Sequence, residues 1–129
     1  MSEHAPGQVC AHRRVLVVDD NADLAQLMGE FIGQDPTLEF VGYVRSAAEA
    51  IEKARLGVAD VFILDLSLRD GSGFQVLERI AADSPAVKVI IHTGHAFDGL
   101  DDYVRRRGGA GYVVKDGNPE TLLKAIHAA

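Results

Sequence analysis

The stretch Val15-Leu16-Val17-Val18-Asp19-Asp20 decides the fold: a short, unbroken apolar run rich in β-branched residues, closed by two acids. Such a run reads as a strand covered on both faces. Behind it Leu24, Leu27, Met28, Phe31 and Ile32 recur at spacings of three and four, which predicts a helix with these residues on one buried stripe. That helix should end near Gln34-Asp35-Pro36, because proline disfavours helix in the residue before it.

Outward from this unit the pattern repeats. Leu38 to Val44 is strand-like, and Ser46 caps a helix over Ala47 to Leu56 with Glu49 as its capping-box partner and Gly57 as its stop. Val61-Phe62-Ile63-Leu64 is a third strand, Phe74 to Ala82 a helix, Val87 to Ile91 a fourth strand, and Phe97 to Arg107 a further helix. Gly111 to Val114 is the fifth strand, and a last helix runs from Pro119, a good first-turn residue, through Leu122, Leu123 and Ile126. Alternating apolar strands and helices predict an α/β fold: a doubly wound, five-stranded parallel sheet with helices on both faces. Met1 to His12 shows no apolar period and is expected to be a flexible N-terminal extension, with residues 13–129 forming the domain.

Composition narrows the function. The 129 residues, 47% hydrophobic and 25% charged, suit one globular domain with a buried core. With 13 Lys and Arg against 19 Asp and Glu the formal charge is −6, which opposes attraction to nucleic acid or to an anionic membrane. Cys10 is the single cysteine, so neither an internal disulfide nor a thiolate cluster can form within one chain, and a cytoplasmic location is expected. No apolar run approaches the roughly 20 residues that span a bilayer, and Met1 to Arg14 lacks the apolar stretch of a secretory signal.

In a parallel doubly wound sheet, ligands sit outside the carboxyl ends of the strands, at the point where strand order reverses. Asp19 and Asp20 follow the first strand and Asp65 ends the third, so all three acids should meet at that edge. Three carboxylates in one small site repel one another unless a cation joins them, and an all-oxygen set with room for phosphate suits Mg²⁺. Thr93 at the end of the fourth strand and Lys115 at the end of the fifth should face the same edge. They would supply a hydroxyl and an ammonium to a phosphoryl group in transfer. Taken singly, each has a plainer account: Asp19-Asp20 as helix-starting acids, Asp65 as a turn former, Lys115 as a solvated loop residue. Their coincidence at one edge is what favours chemistry.

These residues resemble the receiver domain family of bacterial two-component response regulators. The resemblance runs from Arg14 to Ala129 and rests on Val17-Val18-Asp19-Asp20, Ile63-Leu64-Asp65-Leu66, Gly71-Ser72-Gly73, Ile90-Ile91-His92-Thr93-Gly94 and Gly111-Tyr112-Val113-Val114-Lys115. It implies strand order 2-1-3-4-5, with Asp65 as phosphoacceptor and Mg²⁺ held by Asp19, Asp20, Asp65 and the Ser67 carbonyl. It also implies phosphoryl contacts from Thr93 and Lys115, and a switch in which Thr93 and Tyr112 move together. The implied donor is a sensor histidine kinase or a histidine phosphotransfer protein. The downstream protein partner is not implied, and dimerisation on phosphorylation through the fourth helix, fifth strand and fifth helix is a family habit. Beyond its own phosphorylation and dephosphorylation the domain would not be an enzyme. The stretch from Pro119 to Ala129 reads as the domain's last helix, and the chain is expected either to work alone through partners or to come from a longer regulator with an output domain.

Three departures stand out: Arg69 and Asp116 where many members carry proline, and Gly94 where many carry alanine. His92 and His95 are three apart, but with no further clustered ligands His92 is expected to pack in the sheet rather than bind zinc. By resemblance His95 lies where the lifetime of the phosphate is tuned. Arg105-Arg106-Arg107 reads as a solvated helix end complementing the dipole. Two other functions compete: a receiver-shaped protein-binding scaffold that is not phosphorylated, and a phosphohydrolase with an aspartyl phosphate intermediate. The latter usually carries a second acid two residues past its nucleophile, where this chain has Ser67.

Overall fold

The computed structural model describes residues 12–129, so the expected extension, His12 apart, and Cys10 lie outside the described residues. The central sheet is formed by β1 (Arg13–Val18), β2 (Leu38–Val44), β3 (Val61–Asp65), β6 (Lys88–Thr93) and β7 (Gly111–Val114). All neighbours are parallel and the order is β2-β1-β3-β6-β7, which is the 2-1-3-4-5 order once the short strands are set aside. Those short strands, β4 (Ser67–Leu68) and β5 (Gly71–Ser72), form a small antiparallel hairpin that the sequence pattern did not announce. A two-residue strand carries no readable alternation.

Among the described residues five helices cover the sheet: α1 (Ala22–Gly33), α2 (Ala47–Leu56), α3 (Gly73–Asp83), α4 (Leu100–Arg106) and α5 (Pro119–Ala128). Side chains of one strand point alternately to the two faces, so each strand feeds two separate cores. Leu16, Val18, Phe62, Leu64 and Ile91 pack against α2, α3 and α4. Val15, Val17, Ile63, Ile90 and Val113 pack against α1 and α5. Burial of each large aliphatic side chain contributes about 1.5–3 kcal/mol before the entropy of ordering is counted.

The helix ends follow the expected chemistry. Ser46 Oγ accepts from the Glu49 amide at 3.2 Å and donates to the Glu49 carboxylate at 3.1 Å, which also accepts from the Arg45 amide at 3.4 Å in place of the Ser46 amide of a full capping box, and Gly57 closes α2 in the left-handed region at φ 66°. Asn118 caps α5 ahead of Pro119. The far end of α5 is fixed from β1: Arg13 donates to the carbonyls of Ile126 at 2.6 Å and Ala129 at 2.7 Å, satisfying acceptors that a helix end leaves free. His127 Nε2 lies 2.7 Å from Asp35 Oδ2 and ties the same helix to the loop after α1.

Two expectations are corrected in detail. Leu27 is not on the buried stripe of α1; it is 46% exposed, and the buried positions are Ala25, Met28, Gly29 and Ile32. The ring of Phe40 presses against Gly29, so the small residues face the sheet and turn Leu27 outward. The helix expected over Phe97 to Arg107 spans only Leu100–Arg106, because Gly99 adopts φ 87° and breaks the turn before it.

Candidate functional site

The site lies at the carboxyl edge of the sheet, where β1 and β3 sit side by side and the chain leaves them toward opposite faces. Asp19 follows β1, its amide bonded to the Val44 carbonyl of β2 at 3.0 Å, so the residue continues the sheet before the chain turns into α1. Asp65 is the last residue of β3 and is 5% exposed. Close behind it stands the start of α3. A Cβ on Gly73 would come within 2.6 Å of the Asp65 carbonyl oxygen, so only glycine lets α3 approach this closely.

Asp19, Asp20 and Asp65 each offer a carboxylate oxygen within 4.8 Å of the others. Asp19 is almost fully buried, and its Oδ1 accepts from the Asn21 amide at 2.9 Å, whereas Oδ2 accepts no hydrogen bond. Burial pushes the Asp19 carboxyl above the usual carboxylate range, and the neighbouring Asp65 adds to this, although the Asn21 amide and Lys115 oppose it. A buried carboxylate oxygen that accepts no hydrogen bond, with only the Lys115 ammonium at 3.5 Å, in a set of three acids is what a hard cation satisfies. The donor set, all oxygen, fits Mg²⁺.

Lys115 comes from the residue after β7 and is held by a backbone bond from its amide to the Thr93 carbonyl at 2.7 Å. Its Nζ lies 3.1 Å from Asp65 Oδ1 and 3.5 Å from Asp19 Oδ2. All peptide bonds among the described residues are trans, so the loop is shaped here without a cis bond: Asp116 Oδ1 accepts from the Asn118 amide at 2.9 Å. Ser67, in the β4–β5 hairpin, donates its amide to Asp65 Oδ1 at 3.2 Å, which places its backbone beside the acids.

Thr93 is buried at the end of β6, at the same edge. Its hydroxyl does not reach the acids in this structure. It exchanges hydrogen bonds with the backbone of His95, donating to the carbonyl and accepting from the amide, both at 3.2 Å. Tyr112 pairs with Ile91 and Val114 with Thr93, so Thr93 and Tyr112 face the same side of the sheet, and the half-buried Tyr112 ring joins the core under α2, α3 and α4. His92 is buried in the sheet as expected, and burial together with the Lys115 charge lowers its pKa to about 4. His95 is exposed.

The structure brings Asp19, Asp20, Asp65, Ser67 and Lys115 together, and places Thr93 at the same edge with its hydroxyl bonded to the His95 backbone. It also places two residues that motif reading passed over. Arg69 Nε stands 3.8 Å from Asp20 Oδ2, and Arg45 Nε donates to the Asp20 carbonyl at 3.2 Å. The sequence signal for Arg69 was its departure from proline. Arg45, in the loop after β2, offered none.

Several known proteins are similar to this chain. A DNA-binding transcriptional activator DevR/DosR of Mycobacterium tuberculosis is 31% identical over 88% of this chain and 52% of its own length. A protein-glutamate methylesterase/protein-glutamine glutaminase of Geobacillus kaustophilus is 32% identical over 90% of this chain and 36% of its own. The chain thus spans about half the length, or less, of these curated relatives. The signal receiver domain of a putative Luxo repressor protein from Vibrio parahaemolyticus superposes with a TM-score of 0.81 at 28% identity, covering 90% of this chain and 88% of that one. The family model of the response regulator receiver domain matches residues 15–127, and the chain belongs to that family.

Proposed function

We propose that this domain accepts a phosphoryl group on Asp65, with Mg²⁺ held by Asp19, Asp20, Asp65 and the Ser67 carbonyl, and thereby switches its partner-binding face. The observation that carries this reading is the position of Lys115, whose ammonium lies within 3.5 Å of both Asp65 and Asp19 on the edge where the three acids meet. In the reaction a carboxylate oxygen of Asp65 attacks phosphorus. The bond from phosphorus to the donor's histidine nitrogen breaks, and its electron pair leaves with the imidazole. Lys115 neutralises charge on the transferring oxygens, and Thr93 donates its hydroxyl to one of them after leaving His95. When bound, Mg²⁺ supplies further neutralisation and orients the incoming phosphoryl oxygens.

The phosphoryl group can favour an active state only by contacts made better there than in the resting state. Thr93 is the residue suited to that difference, because its hydroxyl is satisfied by the His95 backbone here and would be satisfied by phosphate after transfer. Movement of Thr93 opens space on the side of the sheet that Tyr112 shares, so Thr93 and Tyr112 form the switch. The donor is a sensor histidine kinase or a histidine phosphotransfer protein in the cytoplasm. Residues 13–129 are the receiver unit, and any output activity of the kind named for the longer relatives would lie in another domain or in a separate partner.

The test is intact mass after incubation with Mg²⁺ and acetyl phosphate. Wild type should gain one phosphoryl group and Asp65→Asn none. No gain in either protein would sink the reading and favour a scaffold that docks partners without being phosphorylated.

A further inference from the structure

We infer that Arg69 competes with the divalent cation for Asp20, and so sets how tightly this domain holds its metal. The inference rests on the metal reading proposed above. The three acids do not share their positive neighbours equally. Lys115 serves Asp65 and Asp19, at 3.1 and 3.5 Å, while Asp20 turns its Oδ2 toward the guanidinium of Arg69 at 3.8 Å. Arg45 binds the main-chain carbonyl of Asp20 from the loop after β2 and leaves that carboxylate to Arg69.

Arg69 has an exposed side chain on an anchored backbone. Its side chain is 77% exposed, yet both of its neighbours are fixed. Leu68 is buried in the core, and Asp70 accepts hydrogen bonds from the amides of Ala47 at 2.7 Å and Ala48 at 3.3 Å at the start of α2. The tip of the β4–β5 hairpin is thereby pinned, and the guanidinium has a short tether to the acids. A cation binding to Asp20 must displace this contact or tolerate a positive charge close by, and either lowers its affinity. Because Arg69 is exposed and Asp20 only half-buried, solvent screens the pair, and the effect is one of tuning rather than of blocking. A proline in this place would carry no such charge, so Arg69 gives this chain a feature that the common family pattern lacks.

The experiment is calorimetric titration of Mg²⁺ into wild type, Arg69→Gln and Arg69→Lys, with the Mg²⁺-induced rise in Tm as a second readout. Arg69→Gln should bind Mg²⁺ roughly two- to fivefold more tightly than wild type, the scale of one exposed charge pair. Its Tm should rise more on adding Mg²⁺, and Arg69→Lys should fall between the two. The difference should shrink in about 1 M NaCl, where charges beyond about 3 Å are screened. Equal or weaker binding by Arg69→Gln, with wild type binding measurably, overturns the inference and leaves the metal reading intact. Absence of binding in all three proteins overturns the metal reading, and the inference falls with it.

Discussion

Lys115 holds its Nζ 3.1 Å from Asp65 Oδ1, across the full width of the site from the loop after β7 to the end of β3. The contact joins an outer strand of the sheet to the central one. If the ammonium neutralises charge in transfer, Lys115→Met should keep the fold and slow phosphorylation of Asp65 by acetyl phosphate roughly a hundredfold to a thousandfold, the range for losing one preorganised donor. A time course of intact mass reads the rate directly, and an unchanged rate would remove Lys115 from the mechanism.

Gly73 opens α3 against the end of β3, where an added Cβ would lie 2.6 Å from the Asp65 carbonyl and 2.7 Å from the Leu66 Cα. Both neighbours are backbone and cannot rotate away. Gly73→Ala should destabilise the protein by about 1–3 kcal/mol, the cost of overpacking, and should displace Asp65. Urea unfolding gives the first number; the phosphorylation rate, falling further than stability alone explains, reports the second.

Asp70 sits beside Arg69 and caps α2 through the amides of Ala47 and Ala48, which also holds its own carboxyl below the usual range. The same contacts pin the hairpin that carries Ser67. Asp70→Ala should therefore speed amide exchange across Ser67–Ser72 and weaken Mg²⁺ binding, while the far end of α2 keeps its protection. Exchange confined to the first turn of α2 would show that the hairpin does not depend on this cap.

The Asp35 carboxyl is lowered to about 2 by the Thr37 hydroxyl, by His127 and by the Thr37 amide. A carboxyl whose folded pKa lies below its unfolded value binds its proton later in the folded state. The stability it contributes is present above the unfolded value of about 3.9 and is lost as pH falls toward about 2. Wild type should exceed Asp35→Asn in urea midpoint near pH 5, and the gap should narrow steadily on descending to about pH 3. A gap that stays constant over that interval would mean the carboxylate is not what stabilises this corner.

Much of this site was legible because parallel sheets convert sequence order into spatial order. Val15 to Val18 and Val61 to Leu64 are apolar throughout, so the acids after them had to emerge at one edge, and the pairing of Val18 with Leu64 places them there. Lys115 and Thr93 followed from the same rule. What escaped was set by side-chain reach and by backbone detail. Nothing in the run Tyr43-Val44-Arg45-Ser46 says that the guanidinium of Arg45 folds back over Asp20, and the His95 backbone bond that occupies Thr93 is invisible to a motif. Leu27 was misplaced for a related reason. Helical spacing gives a stripe, but the ring of Phe40 against Gly29 decides which side of that stripe touches the sheet.

The six residues from Gly94 to Gly99 are all exposed and form neither helix nor strand, and the helix that follows them has only seven residues. A helix that short has little cooperativity of its own and depends on Leu100 and Val104 for its hold on the sheet. The segment next to Thr93 is therefore a natural place for local opening at a lower free energy than that of β1 and β3. If Asp65 is phosphorylated as proposed, the change need not overcome the stability of the whole domain to be felt at the surface. Biasing the opening of this one segment would then be enough, and the signal would be amplified where the fold is held least tightly.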